Sequence, residues 1–170
     1  GTHVLGLFSH SALTGKAPEP SLAEMTEKAI ELLAENEKGF FLMVEGSQID
    51  WRCHANDFEG CVREVLLFDQ AVAAAMAFAL SRKDTLVIVT ADHETGGLVI
   101  LDRRDDGGLT YQWASTGHTL SPVPVFAFGP HAERFGGTMD NTRIPRILAD
   151  LLGVKIGLLP ERKPAQSAAP

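Results

Sequence analysis

The amino-acid sequence predicts an α/β fold with three layers, in which a mostly parallel central sheet is flanked by helices. Helical patterns at residues 21–36 and 62–80 alternate with short apolar runs at residues 40–44 and 85–90. Neither run has the polar alternation of a half-exposed strand, which indicates burial on both faces and is typical of parallel strands between helix layers. With 170 residues and 45% hydrophobic content, the chain is long enough for one well-buried core and too short for two.

Local signals justify the elements in chain order. Ser21 followed by Glu24 is a capping-box pattern, so we expect the first helix to begin there. The second helix, at residues 62–80, is rich in alanine, which favours helix formation and permits close approach to a sheet. The later elements are a hairpin, a buried strand and a last helix, expected at residues 98–101 with 109–113, at 123–129 and at 141–152.

Composition and charge limit the domain organisation and the partners. We expect residues 1–158 to form one domain and residues 159–170, which contain three prolines, to be a disordered tail. A net charge of -7 argues against nucleic acid as a partner, because phosphate binding needs a basic surface. No apolar run approaches the roughly 18–20 residues of a membrane span. The start at Gly1 looks like the inside of a domain rather than a signal peptide.

The only two cysteines, Cys53 and Cys61, lie eight positions apart and allow three interpretations. A disulfide between them would close a short loop and imply an oxidising compartment. They are equally consistent with two reduced, partly buried thiols. Cys53 is also a possible zinc ligand, although a single cysteine beside a histidine is weak evidence for that role.

A first group of residues with metal-ligand chemistry follows the apolar run at 40–44. Glu45, Asp50 and His54 lie within ten positions, where a buried strand leads into a polar loop. Open α/β sheets build their sites at the carboxyl ends of strands. Asp50 and His54 are four residues apart, so one helical turn would place both side chains on the same face. A carboxylate oxygen and an imidazole nitrogen are both suitable zinc ligands.

A second group comes at the end of the strand predicted at 85–90. Asp92 and His93 lie at its carboxyl end, where they could equally be a turn cap and a solvated loop residue. His118 precedes a strand rather than following one. Together with Asp50 and His54 it would give a three-ligand zinc site with one open position, which is the catalytic pattern. His131, which follows a strand, is its main competitor for that role.

Four motifs in order resemble the alkaline phosphatase family over about residues 5–153. They are Glu-Gly-x-x-Ile-Asp-x-x-x-His at 45–54, Thr-Ala-Asp-His at 90–93, His-Thr at 118–119, and a strand ending in Gly-Pro-His-Ala at 129–132. The resemblance implies an α/β domain that is incomplete at its amino-terminal side. It also implies a periplasmic or extracellular homodimer that holds two Zn2+ ions and one Mg2+ ion and hydrolyses phosphate monoesters.

The resemblance also assigns roles to individual residues. Asp50, His54 and His118 match the ligands of one zinc, Asp92 and His93 match ligands of the second, and Glu45 matches a magnesium ligand. The family's serine nucleophile belongs to a motif that the sequence does not contain, and Ser47 does not match it. No catalytic nucleophile is therefore assigned in this chain. Two alternatives stay open: an inactive zinc-binding or partner-binding fragment, and a phosphodiesterase or nucleotide pyrophosphatase of the same superfamily.

Overall fold

The computed structural model describes residues 3–157, so the tail predicted at 159–170 lies outside the described residues. Three helices come first along the described chain, six strands follow in succession, and a last helix ends it; the fold is α/β. The helices are α1 Leu22–Leu33, α2 Gln48–His54, α3 Phe58–Ser81 and α4 Arg143–Leu151, with a short 3-10 helix at Ala132–Phe135. The strands are β1 Val87–Thr90, β2 Glu94–Thr95, β3 Val99–Arg103, β4 Leu109–Gln112, β5 His118–Thr119 and β6 Val125–Phe128.

The chain divides into two compact units, Gly1–Ala132 and Glu133–Pro170. The first unit contains α1 to α3 and all six strands that the structure describes. The second contains α4, and Arg134 forms a 2.8 Å ion pair with Asp150 of that helix. Every residue singled out from the sequence as a metal ligand belongs to the first unit. The expectation of a single domain over 1–158 stays a prediction.

Side-chain caps mark the starts of helices α1 and α3 in the first unit. The capping box is confirmed at α1, because the Glu24 N–H donates to Ser21 Oγ at 3.2 Å and the Ser21 N–H donates to Glu24 Oε2 at 2.7 Å. Helix α3 starts four residues before the predicted position, because the Asp57 side chain accepts the Gly60 N–H at 2.9 Å. Helices α1 and α2 both pack against α3, and α3 contacts β1. Helix α3 is therefore the central support of this unit.

The direction of strand pairing differs from the prediction. Within the described residues β1 pairs with β6, β2 with β5, and β3 with β4, and all three ladders are antiparallel. The hairpin expected from residues 98–113 is confirmed as the β3–β4 pair. An apolar strand without polar alternation indicates burial, but it carries no information on the direction of its neighbour. The prediction of parallel pairing is therefore wrong for these strands, because the apolar pattern does not specify strand direction.

Residues 40–44, expected as a buried strand, form none of the strand ladders that the structure describes between residues 3 and 157. Their burial alternates instead. Phe41 and Met43 are 61% and 75% exposed, whereas Phe40 is half-buried with its ring 6.2 Å from that of Phe78 on α3. This segment therefore has one covered face and one open face. The strand expected at 123–129 is likewise one-sided, with Phe126 65% exposed in β6.

Helix α3 bears on the expectation that no apolar run is long enough to span a membrane. It has 24 residues and is long and apolar enough to cross a membrane by those criteria alone. Four charged residues interrupt the apolar run in the first half of the helix: Glu59, Arg63, Glu64 and Asp69. Length and composition are weak evidence for a span, since the core helix of a soluble protein meets the same criteria.

Candidate metal centre

Helix α2 presents Asp50 and His54 on one face, as their spacing predicts. Asp50 Oδ2 and His54 Nε2 are 3.4 Å apart. The other ring nitrogen of His54, Nδ1, lies 2.6 Å from the backbone carbonyl oxygen of Thr116. A carbonyl oxygen can only accept, so Nδ1 carries the hydrogen and donates it. The other nitrogen, Nε2, is then directed at Asp50, and in the neutral ring it is the free ligand atom, which is the usual orientation of a metal-ligating histidine.

Strand β5 brings His118 to the same point. Its Nε2 atom is 3.2 Å from Nε2 of His54 and 3.6 Å from Oδ1 of Asp50. Four ligand atoms at about 2.0–2.1 Å around a tetrahedral zinc lie roughly 3.3 Å from one another. The three atoms thus have the spacing of ligands that share one ion. Their chemistry also fits, because a carboxylate oxygen and two imidazole nitrogens converge without a cationic side chain among them.

Asp92 and His93 adjoin this group. The His93 ring stacks on that of His118 with 3.5 Å between ring centroids, and His93 Nε2 is 3.3 Å from Asp92 Oδ2. The ligand atoms of Asp50, His93 and His118 all lie within 4.8 Å of one another. The Asp92 side chain is 87% exposed, so this second group opens towards solvent. The two groups that the sequence suggested separately are therefore neighbours.

The β2–β5 pair holds the two groups together. Glu94 of β2 accepts the Gly97 N–H at 2.9 Å and the hydroxyl hydrogen of Thr119 in β5, the residue after His118. At the turn after β2, Gly96 has a φ of +87°, and a Cβ there would lie 2.6 Å from the Trp113 ring. Only glycine fits both restrictions without strain. Sequence reasoning missed Glu94, because a glutamate in a glycine-rich turn is unremarkable without the strand opposite.

Thr95 is the second residue that sequence reasoning missed. It is 8% exposed, and its hydroxyl donates to Asp50 Oδ1 at 2.5 Å while also lying 3.2 Å from Nδ1 of His93. The signal that could have identified it is its position two residues after His93. In an extended chain such residues point to the same side.

The alkaline phosphatase family profile matches residues 1–107, which is more than half of the chain. The chain belongs to the alkaline phosphatase family. It is 34% identical to alkaline phosphatase 4 of Bacillus subtilis (strain 168), over 88% of this chain and 48% of that protein. It is 39% identical to the alkaline phosphatase of Escherichia coli (strain K12), over 80% of this chain and 32% of that protein.

A solved structure of a TAB5 alkaline phosphatase variant, with Mg bound in its M3 site, matches with a TM-score of 0.72 and 37% identity. The match covers 79% of this chain and 42% of that one. The likeness supports the alkaline phosphatase-like α/β fold. The chain spans about half the length of these relatives or less.

Glu45 and Ser47 have a different setting from the histidines. Both line a cavity of about 340 Å³ together with α1 residues such as Met25 and α3 residues such as Phe68. Most of the lining is apolar. Ser47 precedes α2 as its N-cap residue, and its hydroxyl makes no capping hydrogen bond. The magnesium role of Glu45 stays a prediction.

The two cysteines are free thiols. Cys53 Sγ and Cys61 Sγ lie 3.3 Å apart, and both residues are buried between α2 and α3. Burial, followed by the hydrogen bond with Cys61, raises the pKa of the Cys53 thiol to about 12. The Cys53 thiol therefore stays protonated at neutral pH, and its sulfur contacts Cys61. Of the three interpretations, the structure matches the two reduced thiols.

Proposed function

We propose that this chain is the metal-binding part of an alkaline phosphatase that hydrolyses phosphate monoesters. The observation that carries the proposal is the convergence of Asp50, His54 and His118, whose ligand atoms are 3.2–3.6 Å apart. Membership of the alkaline phosphatase family and relatives that bear that name support it. Because the chain spans about half of those relatives or less, the activity is proposed for the whole protein.

Asp50, His54 and His118 would hold one zinc ion, and Asp92 and His93 would contribute to a second. When bound, the two ions would supply Lewis acids that stabilise the attacking and leaving oxygens of an in-line phosphoryl displacement. The chain's own part is to fix the ligands. The Thr116 carbonyl accepts the hydrogen on Nδ1 of His54, so the other ring nitrogen, Nε2, faces Asp50 as a ligand atom of the neutral ring. Three protein ligands leave one coordination position open for a substrate oxygen.

The remaining parts of the proposal rest on the family resemblance. Glu45 would supply a carboxylate to magnesium, a hard cation that prefers oxygen ligands. The substrates would be small phosphate monoesters, and the protein would act as a periplasmic or extracellular homodimer. Ser47 is not proposed as the nucleophile, because it lies outside the family's serine motif.

The test is the zinc content of the purified chain, measured by elemental analysis after equilibration with zinc and magnesium. We expect about one tightly held zinc per chain in the wild type and its loss in His118→Ala, because removal of one of three ligands opens the site. His131→Ala is the matched control, because the sequence made it the competing third ligand. Zinc lost from the control but kept in His118→Ala would refute this ligand set.

The alternative is an inactive zinc-binding or partner-binding chain, favoured by the missing serine motif of the 170 residues. Hydrolysis of para-nitrophenyl phosphate distinguishes the two, measured for the chain alone and with the amino-terminal half of a relative added. Restored hydrolysis supports the phosphatase, whereas zinc binding without rescue supports the inactive chain. Faster cleavage of bis(para-nitrophenyl) phosphate would instead indicate a phosphodiesterase.

A further inference from the structure

Thr95 lies between the two groups of proposed ligands. It follows Glu94 in β2, opposite His118 of β5, and only 8% of its surface is exposed. Its hydroxyl oxygen is 2.5 Å from Oδ1 of Asp50 and 3.2 Å from Nδ1 of His93. One buried oxygen atom thus contacts a proposed ligand of each zinc ion, without itself being among the proposed ligands.

The number of available hydrogens determines which atoms donate and which accept around the Thr95 hydroxyl. A threonine hydroxyl has one hydrogen to donate, and an ionised carboxylate has none. The short contact to Asp50 therefore uses the hydroxyl hydrogen of Thr95. The hydroxyl oxygen is then only an acceptor towards His93, so the contact is favourable when Nδ1 of that ring carries the hydrogen. A neutral ring with its hydrogen on Nδ1 has an unprotonated Nε2.

We propose that Thr95 is a positioning residue that links the two ligand groups and holds His93 in the Nδ1–H tautomer. The tautomer of His93 is inferred from the hydrogen-bond geometry of Thr95. Its role in metal binding rests on the proposed function. His54 is held in the same tautomer by the Thr116 carbonyl. In their neutral forms both histidines then direct an unprotonated Nε2 at neighbouring ligand atoms, at 3.4 Å from Asp50 and 3.3 Å from Asp92. An acceptor pair at this distance favours a cation between its members.

The experiment uses the full chain labelled with 15N in its histidines, free of metal and at a pH where the rings are neutral. Long-range 1H–15N correlation spectra distinguish the two ring nitrogens, and the His93→Gln spectrum assigns the ring. We expect the hydrogen of His93 on Nδ1 in the wild type and in Thr95→Ser, which keeps the hydroxyl. Thr95→Val has nearly the same shape without the hydroxyl, so the ring should become a mixture of tautomers.

The second readout is zinc affinity, measured by competition with a chromophoric chelator. Removing such an outer hydrogen bond weakens metal binding about 10- to 100-fold. We expect that loss in Thr95→Val and recovery in Thr95→Ser. Thr110→Val, an exposed site on β4, is the control and should bind as the wild type does.

Two results would overturn the inference: a wild-type His93 with its hydrogen on Nε2, or a Thr95→Val chain that keeps both the tautomer and the affinity. If Thr95→Val does not fold, as judged by circular dichroism, the wild-type and Thr95→Ser spectra still decide the tautomer. A wild type that binds no zinc would refute the proposed function, whereas the metal-free spectra would still decide the role of Thr95.

Discussion

At the scale of single residues, the Cys53 thiol allows a prediction about reactivity. Its pKa is raised to about 12 by burial and by the neighbouring Cys61, and the thiolate is the reactive form. We expect iodoacetamide at pH 8 to modify Cys53 in the native chain at least tenfold more slowly than in the urea-unfolded chain, with mass spectrometry of the two peptides as the readout. Equal rates in the two states would contradict the buried, protonated thiol.

The raised pKa of the Cys53 thiol also makes the free energy of unfolding depend on pH. Folding favours the protonated thiol, so this contribution is fully present below the ordinary thiol pKa of 9.0. It is lost as the pH rises from there towards 12. The midpoint of urea unfolding should therefore fall above pH 9 more steeply in the wild type than in Cys53→Ala. A parallel dependence in the two proteins would mean that this thiol does not contribute.

Spacing along the sequence predicted that two residues meet only where their separation along the chain fixes their distance within one helix. The four-residue separation of Asp50 and His54 is a helical repeat, and α2 places them 3.4 Å apart. His118 is 64 positions from His54, and the number of ligands that a zinc site needs and the family resemblance, not the spacing, suggested that they meet. Thr95 acts through a hydroxyl contact with a residue 45 positions away. No local pattern encodes such a contact.

At the scale of elements, the β2–β5 pair supports the proposed site with only two residues in each strand. The Glu94 carboxylate strengthens it by accepting from the Gly97 N–H and from the Thr119 hydroxyl. In Glu94→Gln, an amide nitrogen replaces one carboxylate oxygen and the negative charge is lost, so the hydrogen bonds from Gly97 and Thr119 are no longer made to an ionised acceptor. We expect a loss of about 1–3 kcal/mol in the free energy of unfolding, together with weaker zinc binding.

Urea unfolding and zinc competition check this prediction. The control is Glu27→Gln, an exposed position on α1 where the same change should have little effect. If the two variants have the same stability and the same zinc affinity, Glu94 does not support the β2–β5 pair. A loss of stability with unchanged zinc affinity would limit its role to the fold.

Elements defined by local signals were predictable, and strand partners were not. Ser21 and Glu24 form the capping box that the sequence indicates, and residues 98–113 form the expected hairpin. The pairing of Thr90 with Val125 joins residues 35 positions apart, and its antiparallel direction has no counterpart in the apolar pattern. Residues 40–44 satisfy the pattern of a strand, although the described part of the chain contains no ladder partner for them.

At the scale of the whole molecule, many large apolar side chains of the described residues are exposed to solvent. The exposed large side chains include Phe41, Met43 and Phe126, at 61%, 75% and 65% of their surfaces. Contiguous exposed apolar patches mark interaction surfaces, and an unpaired strand can pair with another chain. The chain alone should therefore self-associate in solution, most directly through the segment 40–44.

Sedimentation velocity over a tenfold range of chain concentration tests this expectation. The wild type should sediment faster as its concentration rises, because association follows mass action. Met43→Lys puts a charge on the open face of segment 40–44, and charged side chains on an edge oppose pairing with another strand. It should shift the population towards monomer. Leu120→Lys, at an exposed position outside that segment, adds the same charge and should associate as the wild type does. A stable wild-type monomer at all concentrations would contradict the association itself, and equal effects of the two lysines would contradict its assignment to this segment.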